Sequence, residues 1–209
     1  MGSLNKKGWF EQNSANLITS VRLVCSFCII FLGINRPEMI VIMFCLILMA
    51  TISDFLDGRI ARSKKIVSTF GGFLDRLADK LFICSGIIII IWRYWPINNL
   101  HPLAEIVTEG IGATLILLEL ILISSSIVGI IYKLSIASNK FGKIKMTLES
   151  AAVIFWFLAL ILNRYYWFDM ELAIIIINVL LALAVFYAVK SLGGYYQRFT
   201  EGIKKAVDN

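Results

Sequence analysis

Four aspartates lie close together between two apolar stretches, within SDFLDGRIARSKKIVSTFGGFLDRLADK, residues 53–80. Asp54 and Asp57 are three residues apart and Asp75 and Asp79 are four apart, so each pair falls on one face of a helix. One aspartate at the centre of a membrane helix costs about 2.5–3.5 kcal/mol. Four carboxylates therefore need a compensating partner, and clustered oxygen ligands suit hard divalent cations such as Mg²⁺ or Mn²⁺. Four carboxylates are enough to hold two such ions.

The residues around these aspartates suit an anionic ligand. Gly58 and Ala61 remove side-chain bulk beside the acids, so that a ligand can approach the backbone. Arg62 lies one turn past Gly58 and can pair with a phosphate. Gly71 and Gly72 thin the start of the next predicted helix, whose positive end favours anions. The alternative is a set of Asp–Arg and Asp–Lys pairs that only hold two helices together, but the ordered acids, glycines and arginine favour a ligand site.

The chain that carries this segment is strongly apolar. Its 209 residues are 59% hydrophobic with a mean hydropathy of +0.82, whereas an ordinary soluble domain is about 45–50% apolar. Apolar runs near the length of a bilayer span predict an all-α integral membrane protein with six transmembrane helices in one domain, residues 1–209. A short interfacial helix is predicted in the polar N-terminal residues. The predicted spans are Leu17–Ile34, Glu38–Arg62, Thr69–Trp95, Glu105–Leu134, Lys143–Asn163 and Met170–Leu192.

Basic residues are unevenly divided between the two sides of this arrangement. The chain has 20 lysines and arginines, and all but Arg36, Arg93 and Arg164 fall on the side of both termini and the aspartates. The positive-inside rule makes that side cytoplasmic. The net charge of +6 suits membrane lipids or an anionic substrate and fits nucleic acid poorly, because the cations lie at helix ends. The short chain without a transit peptide predicts a bacterial plasma membrane.

The aspartate segment resembles the signature of the CDP-alcohol phosphotransferase family, D-x2-D-G-x2-A-R-x8-G-x3-D-x3-D. Its eight fixed positions are all present, on Asp54, Asp57, Gly58, Ala61, Arg62, Gly71, Asp75 and Asp79. The resemblance implies six transmembrane helices and a two-metal site that faces the cytosol. It also implies the reaction, in which an acceptor hydroxyl attacks the β-phosphorus of a CDP-linked lipid and CMP leaves.

The resemblance also assigns roles to these positions. The implied metal ligands are Asp54, Asp57, Asp75 and Asp79. Asp79 is implied in addition to be the general base that takes the proton of the acceptor hydroxyl. The residues implied to hold the cytidine and diphosphate of the donor are Gly58, Ala61, Arg62, Gly71 and Thr19. Homodimers are usual in the family, and no feature of the sequence identifies a dimer face.

Two further stretches resemble the phosphatidylglycerophosphate and cardiolipin synthases of this fold. The first predicted span begins NLITSVRL, with an N-x2-T-x2-R pattern on Asn16, Thr19 and Arg22, and the later FGKIKMT carries Lys143 and Lys145. Arg22, Lys143 and Lys145 are therefore predicted to bind the phosphate of glycerol 3-phosphate, with CDP-diacylglycerol as donor. The alternative for the lysines is an ordinary basic flank on the cytosolic side of a span.

Two positions depart from that subgroup. Arg76 stands where many phosphatidylglycerophosphate synthases have proline, and Leu118 stands before Glu119 where they have arginine. The missing cation leaves phosphatidylglycerol, which would give cardiolipin, and inositol phosphate as alternative acceptors. Outside this class, the same acids would serve a divalent-cation carrier, although a carrier has no need of small residues beside them.

Two glutamates lie within apolar predicted helices, Glu119 and Glu149, and are candidates for a functional role on that ground. The alternative is that each pairs with a nearby cation in the cytosolic cavity. Glu149 follows Lys145 by four residues, which is one helical turn. We therefore expect an ion pair between Lys145 and Glu149 rather than a catalytic role for this acid.

Overall fold

In a computed structural model the protein is built almost entirely of α-helices. The structure describes the backbone of residues 4–64, 69–93, 102–131 and 140–207, and the side chains of residues 19–53, 77–89, 91, 103–104, 106–129, 140–197 and 200. Six helices cover most of this: α1 (Leu4–Asn35), α2 (Ile40–Lys64), α3 (Thr69–Arg93), α4 (Pro102–Ile131), α5 (Lys140–Tyr165) and α6 (Met170–Val207). A 3-10 helix, Pro37–Met39, joins α1 to α2. The six predicted helices are thus confirmed as helices.

The N-terminal helix differs from the prediction. A separate interfacial helix was expected before a span from Leu17, whereas α1 runs unbroken from Leu4 to Asn35. Residues 9–19 contain no proline and no glycine, so a helix that begins in the polar residues has no reason to end before the apolar ones. Pro37 follows the end of α1, and the residue before a proline is disfavoured in the helical conformation.

Other helix ends also move relative to the prediction. α4 begins at Pro102, since the fixed φ of proline suits the first helical position. α5 begins at Lys140 rather than Lys143, so that both predicted acceptor lysines lie inside its first two turns. α6 continues past Leu192 to Val207.

Several helices are long and apolar enough for a bilayer. Within the side chains that the structure describes, three segments meet the length and composition of a span, and they are Ile106–Gly129, Lys140–Tyr165 and Met170–Gln197. Two shorter apolar helical segments are Thr19–Asn35 and Pro37–Ser53. Large apolar side chains such as Phe27, Leu117 and Ile175 are at least 60% exposed. Lipid accommodates such a surface, whereas soluble monomers rarely expose large apolar patches.

The helices pack as two compact units, residues Met1–Arg93 and Tyr94–Asn209. In the first unit α1 packs against both α2 and α3. Gly33 permits a close approach of α1 to α3, because a Cβ at this position would lie 2.5 Å from Cδ1 of Ile89. The core of this unit includes the buried side chains of Ile29, Met43 and Ile47.

In the second unit α6 packs against both α4 and α5. Small residues on α5 and α6, among them Ala152 and Ala173, are fully buried and let the helices approach closely. The Thr108 hydroxyl donates a hydrogen bond to Asn178 Oδ1 at 2.9 Å and so links α4 to α6. Trp156 and Phe157 fill the interior of this unit.

Candidate functional site

The aspartate segment forms the last turns of α2 and the first turns of α3. Asp54 and Asp57 lie in α2, and Asp75 and Asp79 lie in α3. Both helices are unbroken over these positions, so the spacings of three and four residues place each pair on one face of its helix. The predicted residues whose side chains lie outside those that the structure describes are Asp54, Asp57, Gly58, Ala61, Arg62, Gly71 and Asp75.

Asp79 is the signature residue whose side chain the structure describes, and it is bonded to Arg22. The Nη1 of Arg22 donates a hydrogen bond to Oδ1 of Asp79. The side chain of Arg22 is 1% exposed and that of Asp79 is 11% exposed. Two opposite charges buried in contact cost much less than either would alone. This ion pair therefore joins α1 to α3.

The pattern that predicted a substrate contact on α1 forms one buried face. Thr19 and Arg22 are three residues apart and both are buried. One turn later, the Ser26 hydroxyl donates a hydrogen bond to the Arg22 carbonyl oxygen at 2.9 Å. Thr19, predicted for the donor, and Arg22, predicted for the acceptor, therefore share one face of α1. The contact between Arg22 and Asp79 was not predicted, although a charge within an apolar helix signals that an opposite charge lies nearby.

A second buried cluster of charges lies in the other unit. Lys145 Nζ donates a hydrogen bond to Glu119 Oε1 and lies 3.5 Å from Glu149 Oε2. The three side chains are 3%, 1% and 1% exposed, respectively. The predicted ion pair between Lys145 and Glu149 is thus confirmed. The pairing of Lys145 with Glu119, which links α5 to α4, was not predicted.

The two lysines of FGKIKMT have different surroundings. Lys145 is buried, whereas Lys143 is exposed. Two residues correspond to roughly 200° around a helix, so the side chains leave α5 on opposite faces. The structure does not bring these two predicted acceptor residues together. Arg22, the third, lies in the first unit, and the lysines lie in the second.

The donor set on α2 and α3 fits a hard divalent cation by its chemistry, since it consists of carboxylates at helical spacing. Among the side chains that the structure describes, no group of three or more His, Cys, Asp or Glu residues is placed to hold a metal ion. Only Asp79 of the predicted ligands belongs to that part of the chain. The metal site therefore stays a prediction from the sequence, with its helical spacing supported by the backbone.

Comparison with known proteins gives one family. The family model described as CDP-alcohol phosphatidyltransferase matches residues 12–189, which takes in the N-x2-T-x2-R pattern, the eight-position signature and both lysines. The match spans parts of both compact units.

Relatives at 30–37% identity carry one enzyme name, CDP-diacylglycerol–glycerol-3-phosphate 3-phosphatidyltransferase. The protein of this name from Bacillus subtilis is 30% identical over 160 residues, which cover 76% of this chain and 74% of the relative. That from Rickettsia bellii is 37% identical over 82 residues, or 39% of this chain and 45% of the relative. That from Cereibacter sphaeroides is 35% identical over 77 residues, or 36% and 35%. The chain thus spans less than half the length of the last two relatives.

Proposed function

The chain belongs to the CDP-alcohol phosphatidyltransferase family, and we propose that it transfers a phosphatidyl group from CDP-diacylglycerol to a hydroxyl of glycerol 3-phosphate, with release of CMP. The observation that carries this proposal is the complete eight-position signature, placed on two unbroken helices. The names of the relatives from Bacillus subtilis and Rickettsia bellii support glycerol 3-phosphate as the acceptor.

The family is generally dependent on divalent cations. We assign two ions, Mg²⁺ or Mn²⁺, to the four carboxylates of Asp54, Asp57, Asp75 and Asp79. When bound, such ions neutralise the diphosphate of the donor and stabilise the departing CMP. The small residues Gly58, Ala61 and Gly71 leave room for the nucleotide, and Arg62 and Thr19 bind the donor beside it.

Asp79 is the proposed general base. Its carboxylate takes the proton of the acceptor hydroxyl as the new P–O bond forms and the P–O bond to CMP breaks. The buried contact with Arg22 orients this carboxylate through Oδ1. The cations that the sequence patterns assign to the acceptor phosphate are Arg22, Lys143 and Lys145. Lys143 is exposed, whereas Arg22 and Lys145 are buried in ion pairs.

The protein is a membrane protein, because its family consists of membrane enzymes and three of its described helical segments suit a bilayer. We place both termini and the aspartates on the cytoplasmic side of a bacterial plasma membrane, since the basic residues concentrate on that side. We also propose a single catalytic domain over residues 1–209, in contact with membrane lipids, and a homodimer as is usual in the family. The family match across both compact units supports the single domain.

The direct test is CMP release from CDP-diacylglycerol by the purified protein in detergent micelles. Mg²⁺ and Mn²⁺ are each supplied, and glycerol 3-phosphate, phosphatidylglycerol, inositol 1-phosphate, inositol and serine are offered one at a time. Turnover with glycerol 3-phosphate alone supports the proposal. Turnover with a different acceptor keeps the donor and overturns the acceptor. Divalent-ion flux into vesicles without any CMP release would instead favour the cation carrier.

A further inference from the structure

We propose that Glu119 and Glu149 hold Lys145 as a positioning residue of α5, and that Lys143 is the lysine that contacts the acceptor phosphate. This inference rests on the function proposed above. It gives different roles to Lys143 and Lys145, which the sequence pattern assigned to the same ligand. It concerns three buried side chains of one compact unit, Glu119 on α4 and Lys145 and Glu149 on α5.

The ammonium group of Lys145 is already engaged by two carboxylates. Its Nζ donates to Glu119 Oε1 and lies 3.5 Å from Glu149 Oε2. Direct binding of a phosphate by Lys145 would require its ammonium group to leave these two carboxylates. Breaking a buried ion pair is costly, because it leaves a buried charge without its partner. Lys145 is therefore poorly suited to bind the acceptor directly.

The burial of α5 gives the same assignment independently. Lys145 belongs to the buried face of α5 together with Glu149, Ala152 and Trp156. Lys143 leaves the opposite face of the helix and is exposed. A soluble acceptor can reach an exposed ammonium group, whereas a residue 3% exposed would first have to break its buried ion pairs.

The cluster connects two helices, which an exposed lysine on the surface does not do. α4 and α5 each pack against α6, and the bond from Lys145 to Glu119 joins these two flanking helices directly. Because Lys145 lies in the second turn of α5, this bond fixes the rotation of the turns that also carry Lys143. The position of Lys143 then depends on Lys145 without any contact between Lys145 and the substrate.

A rescue experiment separates the two roles of Lys145. Lys145→Met removes the buried ammonium group that both glutamates contact, so we expect a lower unfolding temperature and a KM for glycerol 3-phosphate raised at least about tenfold. The triple variant Lys145→Met, Glu119→Leu and Glu149→Leu replaces the whole buried cluster by apolar side chains, an exchange that is often neutral or stabilising. If Lys145 is a positioning residue, the triple variant recovers both the unfolding temperature and the KM. A recovered unfolding temperature with a KM that stays raised overturns the inference, because only a direct ligand would remain missing.

A second variant gives a test that does not depend on the core. Lys143→Gln is expected to raise the KM for glycerol 3-phosphate at least about tenfold, with kcat and the unfolding temperature unchanged. Lys140→Gln, at the exposed start of the same helix, is the matched control and should leave the KM unchanged. An unchanged KM in Lys143→Gln overturns the inference. Failure of the unaltered protein to release CMP with glycerol 3-phosphate would instead overturn the proposed function, while the unfolding temperatures would still report on the buried cluster.

Discussion

The two compact units each bury a cation in contact with acids, but the described contacts differ. In the first unit Arg22 on α1 is bonded to Asp79 on α3. In the second unit Lys145 on α5 contacts two described acids, Glu119 on α4 and Glu149 on its own helix. The comparison shows that basic residues of two motifs, Arg22 and Lys145, are both buried against acids, whereas the neighbouring motif residue Lys143 is exposed.

The largest effect is expected on turnover, at the Arg22–Asp79 pair, which includes the proposed base. Asp79→Asn should lower turnover by about 10²–10⁴-fold, because the amide cannot take the proton of the acceptor. The amide oxygen still accepts a hydrogen bond from Arg22, but the neutral amide no longer balances the charge of this buried guanidinium, so the helices should form with a lower free energy of unfolding. CMP release and the circular dichroism of the purified variant measure the two effects.

A matched control for this variant is available outside the site. Asp169 is exposed and its Oδ1 accepts hydrogen bonds from the backbone amides of Glu171 and Leu172 at the start of α6. Asn is an equally good residue at such a helix start, so Asp169→Asn should leave turnover unchanged. Normal CMP release by Asp79→Asn would contradict the proposed base and would make the Arg22–Asp79 pair purely structural.

The next largest effect is expected on the free energy of unfolding, at the cluster of Lys145, Glu119 and Glu149. Lys145→Met removes the buried cation that Glu119 and Glu149 both contact and should lower the free energy of unfolding by about 3–5 kcal/mol. Glu149→Gln keeps an amide oxygen near Lys145 and leaves the bond of Lys145 to Glu119, so its cost should be only about 1 kcal/mol. Denaturant unfolding in micelles compares the two variants. Equal losses of unfolding free energy in the two variants would contradict this, because replacing Glu149 alone would then be as destabilising as removing Lys145 from both acids.

A smaller effect is expected where the first unit packs α1 closely against α3. Gly33→Ala forces the new methyl group against Ile89 and should cost about 1–3 kcal/mol of stability. Gly110 and Gly193 have no heavy atom within 4 Å of an added Cβ. The same substitution there should be neutral or stabilising by up to about 1 kcal/mol, because alanine favours the helix. A thermal unfolding series of the three variants tests this, and identical shifts would argue against the close approach.

The smallest effect is expected from a neutral link within the second unit. Thr108→Val removes the hydrogen bond to Asn178, and such bonds between membrane helices average about 0.6 kcal/mol. A small loss in the same unfolding assay would show that α4 is held mainly by packing and by the Lys145 cluster. A loss of unfolding free energy as large as that of Lys145→Met would contradict the expectation that the neutral Thr108–Asn178 hydrogen bond contributes less than the charged cluster.

Local spacing explains which contacts the sequence predicted. Lys145 and Glu149 are four residues apart on one helix, so their ion pair followed from the helix period. Arg22 and Asp79 are 57 residues apart, and Lys145 and Glu119 are 26 apart. Pairs of this kind depend on how each helix rotates against its neighbour, and that rotation is set by the packing of many side chains.

The same reasoning accounts for the predictions that the structure changed or separated. Lys143 and Lys145 look like one basic group in the sequence, but a separation of two residues divides them between opposite faces of α5. The expected interfacial helix was wrong as a separate element because a change from polar to apolar composition does not by itself interrupt a helix. The aspartate signature was recognisable from the sequence because its spacing is entirely local to two helices.

The continuity of α1 has a consequence for how the protein responds to the thickness of its bilayer. At about 1.5 Å per residue, its 32 residues extend for roughly 48 Å, against a hydrocarbon core of about 30 Å. The apolar residues of α1, predicted to span the bilayer over Leu17–Ile34, are about as long as that core, so the polar residues before them continue the helix beyond the hydrocarbon layer. A change of bilayer thickness alters the tilt of membrane helices, and an unbroken helix tilts as one body. A change of membrane thickness would then move Arg22, which lies on α1. Turnover should therefore respond to the acyl-chain length of the surrounding lipid.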